Sequence, residues 1–146
     1  MGLFRNHWWG DQATRTVRET VAAFNARDFT SLRELVTDDI KLIDSIGDSA
    51  DGRQTVFKLL ERLFAYDPAF TLHLEELTAY NDAVLVSGSI SGSHHLSSER
   101  TLWRLVLRGG RVSEWRSYSA DNPLPFVKLL LAERDNPMRS GKIAAS

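Results

Sequence analysis

The stretch from Ile40 to Leu63, IKLIDSIGDSADGRQTVFKLLERL, decides the fold. Ile40, Leu42 and Asp44 occupy alternate positions at its start, which predicts a β-strand with all three side chains on one face. Aspartate is depleted in strands, and a carboxylate on a buried face is costly unless it is paired. Asp44 is therefore a candidate reactive group beside aliphatic neighbours.

The second half of the same stretch predicts a turn followed by a helix. Gly47 interrupts the strand, and Asp51 with Gln54 has the spacing of a capping box at a helix start. A helix that covers the acid would build a small pocket with one reactive group. The apolar residues of this helix follow one another at helical spacing: Val56, Phe57, Leu59, Leu60, Leu63 and Phe64.

Upstream of the stretch, the apolar pattern predicts two helices. Val17, Val21 and Phe24 recur at helical spacing, which predicts an amphipathic helix from about Ala13 to Arg27. Thr30 is placed to cap a second, short helix that ends before the first strand.

Downstream of the stretch, the hydrophobic period changes from helical to two, which predicts four consecutive strands. The Gly109-Gly110 pair predicts a tight hairpin turn between the last two of them. A terminal helix follows, and its apolar residues lie around most of its circumference, so it needs a surface to cover. The predicted strands begin at Phe70, Ala83, Thr101 and Arg111, and the predicted helix spans Phe126 to Arg134.

This order of elements predicts an α+β domain in which a mostly antiparallel sheet curves around the N-terminal helices as a cone. The interior of such a cone is a natural site for a small molecule. We expect residues 1–12 to be an N-terminal tail, 13–135 to be the domain, and 136–146 to be a disordered tail.

Composition excludes several classes of function. The chain has 146 residues, 42% of them hydrophobic, which suits one domain. Its net charge of −1 gives no reason to expect nucleic acid as a partner. It has no cysteine, so disulfides and thiolate sites are excluded. No apolar run approaches the roughly 20 residues that span a bilayer, so we expect no membrane partner and a cytoplasmic location.

Residues 13–122 contain a set of short motifs in a fixed order. The motifs are Phe24 to Asp28, Asp38-Asp39, Ile43 to Gly47, Gly52 to Gln54, and Gly110 through Tyr118. With these motifs the chain resembles the nuclear transport factor 2-like superfamily, and within it the SnoaL-like polyketide cyclase and ketosteroid isomerase group. The resemblance implies the cystatin-like α+β barrel of that superfamily.

The resemblance implies a catalytic role for Asp44. In ketosteroid isomerases the acid at this position is the general base that moves a proton beside a carbonyl. The tyrosine that those enzymes use for the oxyanion falls near Thr20 here, and their protonated aspartate falls near Trp103. Because this chain departs from the pattern at both positions, a steroid isomerase is disfavoured.

Further candidate site residues come from the strand pattern. His94 ends the pocket face of its predicted strand, where it is a candidate acid or base. Trp103 and Trp115 share a face of adjacent strands, where two indoles would flank a flat ligand and offer an N–H to an oxyanion. Further candidates for substrate contact are Ser117, Ser119, Phe57 and Thr20.

Each candidate also has a structural interpretation. Asp44 would then cap a turn or pair with an arginine, the tryptophans would be ordinary core, and His94 would be solvated. The spacing of the aspartates in the stretch does not fit a calcium loop, so we expect no metal.

Three hypotheses follow. The first is a cyclase or isomerase that abstracts a proton beside a carbonyl of a hydrophobic or aromatic ligand, with no cofactor. The second is a non-catalytic module that binds such a molecule, and the third is a structural subunit of a larger enzyme. We also expect a homodimer, because the outer sheet face and the last helix both offer area.

Overall fold

The computed structural model describes residues 2–93, 96–119, 123 and 125–135 of the chain. Four helices and six strands follow one another in this part of the chain. In order they are α1 (Gly2–Asn25), α2 (Phe29–Leu35), β1 (Val36–Ile43), β2 (Ser49–Asp51), α3 (Arg53–Tyr66), β3 (Thr71–Tyr80), β4 (Ala83–Ser91), β5 (Ser98–Arg108), β6 (Arg111–Ser119) and α4 (Phe126–Asp135).

The first helix is longer than its apolar pattern indicates. It begins at Gly2 rather than near Ala13, so most of the segment predicted as a tail continues α1. Trp9 packs against the core, and the Cα of Gly10 faces Ala79 on β3, where an added Cβ would lie 3.3 Å from the Ala79 Cβ. The division into tails and domain stays a prediction.

Two predicted helix caps were wrong. The cap of α2 is Asp28, whose side chain accepts the N–H of Ser31, and not Thr30, which lies inside the helix. The cap of α3 is Gly52, which has φ of 91° and no side chain to offer. Asp51 cannot form the capping box because it belongs to β2, where it pairs with Lys41.

The six strands form one sheet with the order β2-β1-β6-β5-β4-β3. All neighbouring strands are antiparallel except β1 and β6, which are parallel. The predicted hairpin turn between β5 and β6 is confirmed, since Gly109 and Gly110 have φ of 62° and 79°. This positive-φ conformation is strained for residues with a Cβ.

The helices pack on one face of the sheet and bury a continuous apolar core between the two layers. Val17 of α1, Leu59 of α3, and Val84, Leu105 and Val112 of the sheet are at most 1% exposed. The architecture is therefore the predicted α+β fold, with N-terminal helices on a curved sheet that does not close into a full barrel.

A side chain pairs with one of the two edge strands of the sheet. β3 is this edge strand, and the Asn25 amide at the end of α1 bonds to both backbone groups of Leu72. Its Nδ2 donates to the Leu72 carbonyl at 2.9 Å, and its Oδ1 accepts the Leu72 N–H at 3.0 Å. This pair of hydrogen bonds fixes α1 on the sheet.

Among the described residues, none of the helices combines the length and apolar character that a bilayer crossing requires.

Candidate functional site

A cavity of about 90 Å³ lies between the helices and the inner face of the sheet. Nearly all of its lining is aliphatic or aromatic. Its polar side chains are Thr20, Asp44 and Ser117, along with the indoles of Trp103 and Trp115. The apolar lining consists of Phe24, Leu32, Val36, Ile40, Leu42, Ile43, Val56, Phe57, Leu59, Leu60, Leu63, Phe70, Leu72, Ile90 and Phe126.

Asp44 follows the last residue of β1 and is only 3% exposed, so its predicted burial is confirmed. One carboxylate oxygen holds the following turn together. The backbone N–H groups of Ile46, Gly47 and Asp48 each donate to Asp44 Oδ1 at 3.0 Å. Gly47 has φ of 107°, a conformation that favours glycine.

The second carboxylate oxygen of Asp44 reaches the far end of the chain. Asp44 Oδ2 accepts the backbone N–H of Val127, in the first turn of α4, at 3.1 Å. The first N–H groups of a helix have no partner inside the helix, and negative charge is favourable there. Asp44 therefore caps α4 as well as the turn.

These contacts decide what Asp44 can do chemically. Oδ1 is surrounded by three donors, so it has no lone pair left for a ligand. Oδ2 has one donor among the described contacts, which leaves it a second lone pair. Oδ2 is thus the atom of Asp44 that is able to accept a proton from a molecule in the cavity.

The two tryptophans share the inner face of β5 and β6. Their ring centroids lie 6.2 Å apart at an interplanar angle of 67°, and both side chains are buried. Gly88 on β4 makes room for Trp103, because an added Cβ would lie 2.7 Å from the Trp103 ring and 2.1 Å from the carbonyl oxygen of His73. The edge-to-face pair forms one wall of the cavity.

The other predicted contact residues divide into two groups. Phe57, Thr20 and Ser117 line the cavity, whereas Ser119 does not. The Ser119 hydroxyl lies 3.3 Å from the Ser98 hydroxyl, in a small cluster with Thr101. The Thr20 hydroxyl donates to the Thr16 carbonyl at 2.7 Å, so its proton is already committed within α1.

The structure does not test the role predicted for His94, because this residue lies outside the described residues. His73 lies on the outer face of the sheet, where its Nε2 is 2.7 Å from the Ser91 hydroxyl. Within the described ranges, no group of three or more histidine, aspartate or glutamate side chains is arranged to hold a metal ion.

Sequence reasoning missed the part that α4 plays in the cavity. Phe126 lines the cavity and packs edge-to-face on Phe70, with ring centroids 5.9 Å apart. The signal was the apolar circumference of this helix, which indicates that it covers something. The sequence could not indicate which surface it covers.

Asp67 is a second buried acid, and it lies outside the cavity lining. It is fully buried and caps the loops around it, accepting the N–H of Ala69 at Oδ1 and the N–H of Ser93 at Oδ2. Asp67 thus makes the same kind of backbone contacts as Asp44 without facing the cavity, which makes it a matched reference for Asp44.

Comparison with solved structures places this fold among known ones. A protein of unknown function with a cystatin-like fold from Xanthomonas campestris is 18% identical, with a TM-score of 0.69 over 75% of this chain and 92% of that chain. A candidate SnoaL-like polyketide cyclase from Jannaschia sp. is 20% identical, with a TM-score of 0.66 over 76% of this chain and 87% of that chain. An epoxide hydrolase of M. tuberculosis is 19% identical, with a TM-score of 0.66 over 88% of this chain and 98% of that chain.

At these identities the structural likeness establishes the fold alone. A search of curated protein sequences finds no match. The SnoaL-like domain family, in contrast, matches residues 17–117, which is well over half of the chain and includes the cavity residues from Thr20 to Ser117. This chain therefore belongs to the SnoaL-like domain family, within the nuclear transport factor 2-like superfamily.

Proposed function

We propose that this protein binds a small, flat, hydrophobic carbonyl compound in the cavity and that Asp44 removes a proton from the carbon next to the carbonyl. One observation carries the proposal: a buried carboxylate lines a largely apolar cavity and keeps a lone pair on Oδ2. General acid–base catalysis commonly uses ionisable side chains that are buried inside clefts.

The step is a proton transfer. The C–H bond beside the carbonyl breaks, its proton moves to Asp44 Oδ2, and its electron pair passes into an enolate. In an isomerase Asp44 returns the proton to a different carbon. In a cyclase the enolate carbon forms a bond to a second carbonyl carbon of the same molecule, and the π electron pair of that carbonyl moves to its oxygen. This oxygen takes the proton back from Asp44, which gives a hydroxyl and restores the carboxylate. Neither outcome calls for a metal or an organic cofactor.

The enolate oxygen requires a hydrogen-bond donor. The Ser117 hydroxyl and the indole N–H groups of Trp103 and Trp115 are the candidates, because they belong to the lining of the same cavity. Thr20 is a poor donor, since its proton already serves Thr16. His94 stays a candidate acid from the sequence alone.

A second candidate function is a module that binds the same kind of molecule without turning it over. The contacts of Asp44 favour it, because four backbone N–H groups already donate to this carboxylate. A carboxylate with these contacts also has a purely structural role, as the cap of a turn and of a helix.

The two functions are separated by isotope exchange. Small aromatic ketones, with acetophenone as the smallest, are incubated with the protein in deuterated buffer, and NMR follows deuterium uptake beside the carbonyl. Tryptophan quenching measures binding of the same ketones. The enzyme proposal predicts exchange above the buffer rate that Asp44→Asn lowers about a hundredfold, the low end for a general base.

Asp67→Asn is the matched control, because it weakens backbone contacts of the same kind outside the cavity. Exchange retained in Asp67→Asn supports the role of Asp44. Binding without exchange in the unmodified protein overturns the enzyme proposal and leaves the binding module.

A further inference from the structure

We propose that α4 is a displaceable plug of the cavity, and that a ligand enters when the first turn of α4 leaves Asp44. This inference rests on the proposed function, because it concerns how the same cavity becomes accessible and how the same carboxylate oxygen becomes free.

Among the described residues, three polar contacts hold α4, and each reaches a different part of the chain. The Val127 N–H donates to Asp44 Oδ2 at 3.1 Å, at the end of β1. The Lys128 ammonium lies 3.4 Å from a carboxylate oxygen of Asp48, in the turn before β2. The Leu130 carbonyl accepts a hydrogen bond of 2.7 Å from Arg62 of α3.

The apolar contacts of α4 are weaker than those of its neighbour. Along residues 126–131 of α4, Phe126, Val127, Leu130 and Leu131 are only partly buried, and Leu129 is 53% exposed. In α3, by contrast, four side chains are fully buried. Segments with few buried apolar contacts open at lower free energy than the core does, so α4 is suited to leave while α3 stays.

The size of the cavity requires such a movement. Its volume of about 90 Å³ is smaller than the roughly 150 Å³ engineered cavity that accepts benzene. Sites for drug-sized ligands typically have about 300–1,000 Å³. Displacing Phe126 takes an aromatic ring out of the lining and opens the space beside Phe70, without disturbing the sheet.

Displacement of α4 also changes Asp44. With α4 in place, Oδ2 accepts the Val127 N–H. When the first turn leaves, Oδ2 loses that donor, while Oδ1 keeps the three N–H groups that hold the turn. Opening of the cavity and release of the proton-accepting oxygen are therefore one event.

Thiol labelling tests the plug in the absence of any ligand, because the chain has no cysteine of its own. Leu131→Cys places a thiol on the packed side of α4, and Leu129→Cys places one on its exposed side. Each is combined in turn with Arg62→Ala, which removes the contact to Leu130, and with Arg53→Ala. Arg53 is the matched control, since it also lies on α3 but pairs with Asp38.

The plug predicts slow labelling of Leu131→Cys relative to Leu129→Cys. Arg62→Ala should raise the rate at position 131 about tenfold, as expected for the loss of one charge-assisted hydrogen bond from the closed state. Arg53→Ala should leave it within about twofold. The plug is overturned if Leu129→Cys and Leu131→Cys are labelled at the same rate when both arginines are present. It is also overturned if both arginine variants raise the labelling rate at position 131 equally.

Ligand access gives a second measurement. Stopped-flow quenching of tryptophan by acetophenone should show faster association in Arg62→Ala than in Arg53→Ala. Lys128→Gln, which removes the contact to Asp48, should act in the same direction, so the test does not depend on one variant. Unchanged association rates in both Arg62→Ala and Lys128→Gln contradict the plug.

The outcomes of this test and of the exchange experiment are distinguishable. If Arg62→Ala accelerates labelling and association but the protein catalyses no deuterium exchange, the plug proposal is supported and the catalytic proposal is overturned. If the protein catalyses exchange but Arg62→Ala does not alter labelling, the plug proposal is overturned and the catalytic proposal is supported.

Discussion

The carboxylate of Asp44 and the backbone N–H of Val127 form a hydrogen bond of 3.1 Å across 83 positions of the sequence. It joins the end of β1 to the first turn of α4. The same carboxylate closes the turn after β1, so one side chain organises a loop and a helix at the cavity wall. The stability of the protein and the accessibility of its cavity are therefore both expected to depend on this residue.

Asp44→Ala should lower the free energy of unfolding by about 3 kcal/mol, because it leaves several partly buried N–H groups without an acceptor. Asp44→Asn keeps one carbonyl oxygen for the turn and should cost roughly 1 kcal/mol. Urea denaturation followed by circular dichroism measures both. Equal losses in the two variants would show that the oxygen retained by asparagine contributes nothing to the turn.

Trp103→Phe should shift the ligand preference of the cavity towards larger rings. The smaller side chain enlarges the cavity at a cost of about 1–2 kcal/mol in stability. A naphthyl ketone should then gain about tenfold in affinity relative to acetophenone, a typical effect of shape in an apolar pocket. Calorimetric titration measures the two dissociation constants.

Trp9→Phe is the control for this experiment, since Trp9 packs against the core without lining the cavity. The ratio of the two affinities should not change in this variant. A similar shift in both variants would mean that Trp103 does not set the size preference.

Asp39 and Arg108 link β1 to the end of β5 across the intervening strand β6. The hydrogen bond from the Arg108 guanidinium is the main reason why the pKa of Asp39 is lowered to about 2. A lowered folded-state pKa stabilises the protein above the ordinary value near 3.8, and this stabilisation is lost as the pH falls through about 2.

Arg108→Gln should therefore raise the pKa of Asp39 towards its ordinary value, which a carboxyl NMR titration measures. Both side chains are largely exposed, so we expect the accompanying change in stability to be small. An Asp39 pKa that does not respond to the substitution would contradict the assigned cause.

The predicted homodimer has two candidate surfaces on this chain. On the outer sheet face Leu85, Leu102 and Tyr118 are exposed by 45%, 57% and 43%, and Leu102 pairs with Tyr118 across β5 and β6. On α4, Leu129 is exposed by 53%. Exposed apolar residues grouped on one face are typical of protein contacts.

We expect the sheet face to form the contact, because it offers three such residues and α4 offers one. Leu102→Glu should then convert a dimer to a monomer in light-scattering measurements, whereas Leu129→Glu should not. The reverse result assigns the contact to α4. If the unsubstituted protein is a monomer, the prediction of a homodimer is wrong.

The sheet was predictable because its signals are local. The predicted start of β6 at Arg111 is correct, and the glycine pair gave its hairpin. The three residues of β2 are too few to show a period, so this strand was missed. The predicted capping box is wrong because Asp51 belongs to β2. Its pairing with Lys41 of β1 outweighs the local preference for a helix start.

The cavity was predictable in part. Alternation indicates which residues share the inner faces of β5 and β6. Asp44, Trp103, Trp115 and Ser117 do line one cavity, whereas Ser119 does not. The partners of Asp44 were not predictable, because a backbone N–H has no sequence signature and Val127 is remote in the chain. The sequence therefore predicted a buried acid, but not what it binds.

The amide of Asn25 has a consequence for the behaviour of the protein at high concentration. A free edge strand is a template on which another chain can add by backbone pairing. At Leu72 the side chain of Asn25 already supplies the donor and the acceptor that an incoming strand would offer. The side chain at the end of α1 thus occupies, at Leu72, a backbone pairing position that an incoming strand would need for edge-to-edge association.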